Sequence, residues 1–324
     1  MKHVTVMAVF LVSALVLGGC GARDLMLGTK GDYLFTVMDS VAAPGVQTQL
    51  RVQVRGGDFL RGQPGLAVRF YRDGRLFKVA ETGTNGAAVV TFTPDAPGDY
   101  EFVVQVAAAG LREMPPDPET LLVTCRAPDA PMVVVDMDKT VVASGFEAVL
   151  LGTAKPMAES QRVLARLASE RSIIYLTHRP DYFGPKSKRW LKENGFPRGP
   201  LLLSTLGGFL KGSETFKAGR IAELRKTFTK IEIGIGDKIS DGQAYLDNGM
   251  RAIVILDIPP AGKPNRLEDL KEMAEKLDSL GDKAQVVTGW DQVEKALFDG
   301  ASYPPKAARK HLLDMAQASS APAN

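Results

Sequence analysis

The 324-residue chain is poor in cysteine, histidine and tryptophan, with two, three and two of them. So few cysteines exclude a disulfide-stapled fold, and stability must come from a hydrophobic core. His3 lies at the very start, which leaves His178 and His311. That supply excludes a zinc site of the usual Cys/His set, so any metal here is a hard cation on oxygen ligands. A formal charge of +3 is too small to argue for nucleic acid, and no nucleic-acid partner is expected. Long apolar runs are missing except from Val4 to Leu17, behind Lys2. That run is too short and too unevenly flanked for a spanning helix and reads as a secretory signal peptide. What remains has the composition of an ordinary globular protein with room for two domains.

The apolar run ends in Leu17-Gly18-Gly19-Cys20, which resembles the bacterial lipobox. The resemblance implies that residues 1–19 are removed and that Cys20 becomes a lipidated first residue, anchoring an exported protein to the cell envelope. Gly21 is not the aspartate associated with inner-membrane retention, so the outer membrane, facing the periplasm, is the expected site. The alternatives are cleavage by the ordinary signal peptidase and a buried apolar start. With Cys20 used as an anchor, Cys125 has no partner for an intramolecular bridge.

Residues 24–126 show period-two alternation, β-branched residues and regularly spaced turns. Leu50, Val52 and Val54 share one face, as do Phe102, Val104 and Val106. Asp73-Gly74 and Asn85-Gly86 sit where tight hairpins need residues that tolerate positive φ. About seven strands predict a small antiparallel sandwich. The run Pro94 to Tyr100 resembles the corner of immunoglobulin-like domains in bacterial surface proteins. Its scattered charges read as a solvated face, which makes this domain a spacer, a platform or part of a binding surface.

Residues 127–131, Ala-Pro-Asp-Ala-Pro, form a stiff linker, after which strands and helices alternate over 132–303. The pattern predicts an α/β domain built on a doubly wound parallel sheet. Residues 304–324 read as a frayed tail.

The polar residues of this second domain collect at strand ends. Val133-Val134-Val135 runs into Asp136-Met137-Asp138-Lys139-Thr140, so two carboxylates lean into one crevice beyond the sheet, unless this is only an Asp-rich turn. Further along stand Thr177-His178-Arg179, then Lys217, then Gly236-Asp237-Lys238-Ile239-Ser240-Asp241. In this order the motifs resemble the haloacid dehalogenase superfamily of aspartate-dependent phosphotransferases. The resemblance implies a nucleophile at Asp136, a general acid and base at Asp138, phosphoryl contacts from Thr177 and Lys217, and a brace for the Asp138 turn at Thr140. Mg²⁺ would be held by Asp136, the Asp138 carbonyl, Asp237 and Asp241, the last directly, through water, or by fixing the loop. Lys211, Lys186 and Lys188 rival Lys217. His178 and Arg179 either touch substrate or serve a capping or surface role.

A closer resemblance spans Met132 to Trp290. The runs Ile173 to Pro180, Trp190-Leu191, Gly195 to Ser204, Phe216-Lys217 and Gly236 to Tyr245 resemble the catalytic half of lipins, the Mg²⁺-dependent phosphatidate phosphatases, and the related domain of phosphatidylinositol-transfer proteins. Asp237 stands where the family often has Asn, and Thr177-His178-Arg179 where it has Ser-Ala-Arg. No cap domain fits between the motifs, so the site would admit large or membrane-bound phosphates. Tyr182-Phe183 with Lys186, Lys188, Arg189 and Lys192 either meets an anionic lipid surface or forms a solvated basic helix whose Trp190 and Leu191 face inward. The expected activity is hydrolysis of a phosphatidate-like lipid. The rivals are a phosphatase of soluble phosphomonoesters or phosphoproteins, and a surface module that binds phosphate or lipid without turnover.

Overall fold

A computed structural model describes residues 33–57, 59–109, 111, 114–145, 148–149, 151–205, 208–209 and 212–320. The leader and Cys20 lie outside the described residues. The chain divides into two compact units, one spanning Met1–Ala130, Phe146–Ala154 and Thr177–Gly212, the other Pro131–Gly145, Lys155–Leu176 and Ser213–Asn324.

The all-β part of the first unit holds β1 (Tyr33–Met38), β2 (Ser40–Ala42), β3 (Thr48–Gly56), β4 (Arg61–Gly62), β5 (Ala67–Arg72), β6 (Arg75–Glu81), β7 (Ala87–Phe92), β8 (Gly98–Val106) and β9 (Glu119–Cys125). One sheet runs β1-β3-β4, with β7 also on β3; the other runs β2-β9-β8-β5-β6. The alternating residues meet in one core, including Leu50, Val52, Val54, Phe102, Val104 and Val106. This is the expected sandwich, antiparallel except that the short β2 pairs with β9 in parallel. Its additional strands are the three-residue β2 and two-residue β4, too short to show alternation.

Asp73 and Gly74 make the β5–β6 hairpin, with φ of 51° and 74°. The hairpin expected at Asn85-Gly86 does not form, because β7 pairs with β3 in the opposite sheet. Gly86 instead lies against β3, where a Cβ would come 2.2 Å from the Val54 carbonyl oxygen. Tyr100 closes the Pro94–Tyr100 corner by donating its hydroxyl to the Ala96 carbonyl at 2.8 Å. Cys125 is buried and free, and its burial pushes the thiol pKa up.

The rest of the chain alternates: β10 (Met132–Val135), α1 (Ser160–Ala168), β11 (Ser172–Pro180), α2 (Gly184–Glu193), β12 (Leu201–Ser204), α3 (Ser213–Arg225), β13 (Ile231–Gly236), α4 (Ile239–Asp247), β14 (Arg251–Ile255), α5 (Arg266–Leu277), β15 (Ala284–Val287), α6 (Trp290–Phe298) and α7 (Pro305–Ser320). In the second unit the parallel order is β11-β10-β13-β14-β15, placing β10 between β11 and β13. The end of β11 passes into the first unit, where β12 is its neighbour. Met132 to Val135 are fully buried, which explains why β10 reads as an unbroken apolar run.

Two elements differ from the sequence reading. Residues 305–320 form α7 and not a frayed tail, since Leu312 and Ala316, one turn apart, are both buried. Helix α4 also carries no recognisable apolar stripe, because its buried face is Asp241, Gly242, Ala244 and Tyr245. Among the described residues no helix is long and apolar enough to cross a membrane.

Candidate active site

Asp136 is the first residue beyond β10, and its N–H continues the sheet by donating to the Ile235 carbonyl at 2.9 Å. The chain then curls around one acceptor. The N–H groups of Thr140, Val141 and Val142 all point at the Met137 carbonyl, at 3.2, 3.0 and 2.9 Å. Lys139 takes a left-handed φ of 55° to allow it. This curl holds Asp138 half-buried at its mouth.

The fourth motif arrives by close approach. A Cβ on Gly234 would sit 2.2 Å from the Tyr245 ring, and one on Gly236 would sit 2.8 Å from Asp241 Oδ2. Glycine at both positions lets α4 lie against β13 and bring Asp241 to the strand end. Carboxylate oxygens of Asp136, Asp237 and Asp241 then lie within 4.8 Å of one another. Asp138 does not add its carboxylate to this group. Its expected part in metal binding was through the backbone carbonyl.

Lys217 on α3 enters the cluster as the third motif. Its Nζ lies 3.0 Å from Asp136 Oδ1 and 2.7 Å from Asp241 Oδ2, and the residue is 1% exposed. Burial alone would lower its pKa, but Asp136 and Asp241 together outweigh burial and hold the ammonium well above the ordinary lysine range. Of the rivals, Lys188 is engaged by Asp39 and the Thr120 carbonyl, Lys186 is partly buried with its pKa lowered by desolvation, and Lys211 lies outside the described residues.

Three carboxylates around one ammonium leave excess negative charge in a buried place. Asp237 shows the result: burial first, then the charges of Asp136 and Asp241, push its carboxyl up to about 8. Asp237 Oδ1 and Asp241 Oδ1 are buried without a hydrogen-bond partner. Carboxylate oxygens from three residues within 4.8 Å of one another, with an orphaned oxygen on two of those residues, make a donor set for a hard divalent cation, so these residues fit one.

The sign for pH follows. Folding raises the Asp237 pKa from 3.8 to about 8, so the metal-free folded chain holds a proton that the unfolded chain has released. Metal-free stability is therefore expected to fall as pH rises through that window and to level off above it. Denaturant midpoints in chelator at pH values below, within and above the window check this. Excess Mg²⁺ should flatten the curve, and a metal-free midpoint that rises with pH would contradict it.

The two remaining motif residues are placed differently. Thr140 is buried, but its hydroxyl has no hydrogen-bond partner. It braces the turn through its carbonyl, which accepts the Trp290 indole N–H from the start of α6 at 2.7 Å. The sequence reading did not single out Trp290 for this role. Its only signal was a Trp after a Gly at a strand end. Trp290→Phe should keep the bulk, lose about 1–2 kcal/mol of stability and slow turnover more than it weakens substrate binding. Steady-state kinetics and thermal melts test that. Thr177 lies on β11 within the first unit, two residues beyond Tyr175, the register partner of Val135. It is buried, and its Oγ1 accepts the Arg179 N–H at 3.3 Å. His178 stacks on Phe209 at 4.8 Å between centroids, and Arg179 is buried on Ser187.

Beside the carboxylates, a cleft of about 640 Å³ is lined by Lys139, Asp237, Lys238, Asp257 and Lys276 among others. Lys139 pairs with Asp257 at its rim, at 2.5 Å.

Residues 133–256 match the LNS2 domain of PITM 1-3. The LNS2-matching segment is well under half of the chain, yet it contains Asp136, Asp138, Thr177, Lys217, Asp237 and Asp241. The LNS2 match points to phosphatase-type activity. No curated protein matches the chain. Solved structures similar to the all-β part include the titin M3 domain, at 9% identity over 29% of this chain and 97% of that one, with a TM-score of 0.23. The fibronectin(III)-like modules of Clostridium thermocellum CbhA give 10%, 28%, 95% and 0.21. The CARDB domain of PF1109 from Pyrococcus furiosus gives 24%, 29%, 96% and 0.21. TM-scores of that size carry no argument, and the sandwich rests on its own strand pairing.

Proposed function

We propose that this protein is a Mg²⁺-dependent phosphomonoesterase of the haloacid dehalogenase type. The observation that carries the reading is the group of Asp136, Asp237 and Asp241, with the buried Lys217 paired to Asp136 and Asp241. Phosphatidate-like lipid is the leading substrate, by the LNS2 match and the lipin resemblance. The three lysines of the cleft, Lys139, Lys238 and Lys276, favour the second reading, a soluble phosphomonoester with an anionic or polar leaving group. We also propose that the sandwich is immunoglobulin-like, and that the lipobox-like Cys20 anchors the exported chain to the outer membrane. The Tyr182–Lys192 stretch adds little to a lipid-facing reading: Phe183, Trp190 and Leu191 are buried and Lys188 is engaged, leaving Arg189 and Lys192 exposed.

In the proposed reaction Asp136 attacks phosphorus as the bond to the leaving oxygen breaks, and Asp138 gives its proton to that oxygen. Asp138 then takes a proton from water, whose oxygen displaces Asp136 from phosphorus. Lys217 offsets charge on the phosphoryl oxygens, and Thr177 keeps the donor role that the resemblance gives it. Mg²⁺ on the Asp136, Asp237 and Asp241 carboxylates and the Asp138 carbonyl would supply Lewis acidity and screen the nucleophile from an anionic substrate.

The test is phosphate release by a form lacking residues 1–20, on phosphatidate in mixed micelles and on soluble phosphomonoesters, with and without Mg²⁺. Mg²⁺-dependent release is expected. Activity on soluble esters alone would replace the lipid reading by the second one, and no release from any ester would leave the binding module.

A further inference from the structure

The sandwich was expected to carry only solvated charges, yet Asp39 and Arg55 are buried. Both point at the segment that follows the second motif, within the same compact unit. Arg55 on β3 donates to Asp181 Oδ2 at 2.8 Å, and its guanidinium lies 4.1 Å above the Tyr182 ring. Asp39, between β1 and β2, accepts three donors. The Leu122 N–H of β9 lies at 2.8 Å from Oδ1 and the Leu201 N–H of β12 at 3.0 Å from Oδ2, while the Lys188 ammonium of α2 also reaches Oδ1. Lys188 donates again to the Thr120 carbonyl at 2.9 Å.

A buried ion pair contributes little net stability, because desolvation offsets its attraction. What such a pair does fix is geometry. Here the held residue is joined to the second motif directly along the chain. Asp181 follows Thr177-His178-Arg179-Pro180 directly. Arg179 is held by the Ser187 hydroxyl of α2 at 2.9 Å, and its own N–H occupies Thr177 Oγ1 as an acceptor. With its oxygen accepting that bond, the hydroxyl still has its hydrogen to donate.

We propose that Arg55 is a positioning residue for the second motif, with Asp39 holding the far end of the same segment, so the sandwich is needed to orient the Thr177 hydroxyl for a phosphoryl oxygen. This rests on the role given to Thr177 in the proposed reaction. It assigns the sandwich a part in turnover that neither a spacer nor a platform would have.

The experiment is a double-mutant cycle in the full chain with Mg²⁺ present. Inorganic phosphate binding is followed by calorimetry, and hydrolysis of p-nitrophenyl phosphate by absorbance, in the wild type, Arg55→Gln, Thr177→Val and the combination. Arg55→Gln should weaken phosphate binding about tenfold, a size expected for residues coupled through a backbone shift. The combination should bind no more weakly than Thr177→Val alone. Unchanged affinity in Arg55→Gln, or losses that simply multiply, would overturn the proposal. Because Arg55→Gln leaves Asp181 buried without its partner, a second variant, Arg55→Met with Asp181→Leu, removes both charges together. It should melt near the wild type and still bind phosphate about tenfold less tightly; wild-type affinity there counts against Arg55. A wild type that hydrolyses esters alongside unaffected Arg55 variants rejects this inference alone. A wild type that neither binds phosphate nor hydrolyses any ester rejects the role of Thr177 and the proposed function with it.

Discussion

Asp136→Asn is expected to reduce phosphate release by about 10³-fold or more, since an amide cannot serve as the oxygen nucleophile. The chain should still fold, because the substitution removes one of three crowded carboxylates and leaves Lys217 paired with Asp241 at 2.7 Å. It should also lower the Asp237 pKa, to whose rise the Asp136 charge is the second contributor after burial. The loss of metal-free stability with rising pH should therefore be shallower in Asp136→Asn than in the wild type. Asp138→Asn is the natural comparison. It should slow esters with poor leaving groups far more than p-nitrophenyl phosphate, whose leaving oxygen needs little protonation. Unchanged turnover in Asp136→Asn would remove the nucleophile from the mechanism, whatever the protein does with phosphate.

Lys217→Met should weaken stability and turnover and strengthen Mg²⁺ binding. In metal-free protein it removes the only cation within contact of Asp136 and Asp241 among the described ion pairs, at a cost of about 3–5 kcal/mol in stability. Turnover should fall about 10²–10³-fold with the loss of phosphoryl charge stabilisation. Mg²⁺, however, should bind more tightly, because the ammonium no longer competes for the same carboxylates. Chemical denaturation in chelator, steady-state kinetics and calorimetric Mg²⁺ titration read these separately. If metal affinity weakens along with turnover, Lys217 organises the cation site and does not compete with it.

Much of this site is legible in the sequence for one reason. An apolar run that stops at two carboxylates, with a lysine and a Gly-Asp later on, places charge at strand ends, where a parallel sheet opens its crevice. Asp136, Lys217, Asp237 and Asp241 could be named before any packing was known. The helix carrying Asp241 could not, because its buried face is Asp241, Gly242, Ala244 and Tyr245, with Asp241 and Tyr245 lying against Gly236 and Gly234. The buried charges of the sandwich were hidden for another reason. Arg55 and Asp181 are 126 residues apart, and Asp39 and Leu201 are 162 apart. Local alternation marks such positions as exposed when a distant segment in fact covers them. Thr140 shows a third limit: the residue type suggests a hydroxyl brace, whereas the bond runs through its backbone to Trp290.

The tryptophans have a further use. The chain has two of them, and each compact unit holds one, Trp190 in the first and Trp290 in the second. Both are buried, with their indole N–H groups on backbone carbonyls of Ala154 and Thr140. Intrinsic fluorescence is therefore a two-channel reporter supplied by nature. In Trp190→Phe the remaining emission follows the unit with the carboxylate cluster, and in Trp290→Phe it follows the unit with the sandwich. The order in which the two units melt, and whether Mg²⁺ protects one or both, can be read without any attached dye.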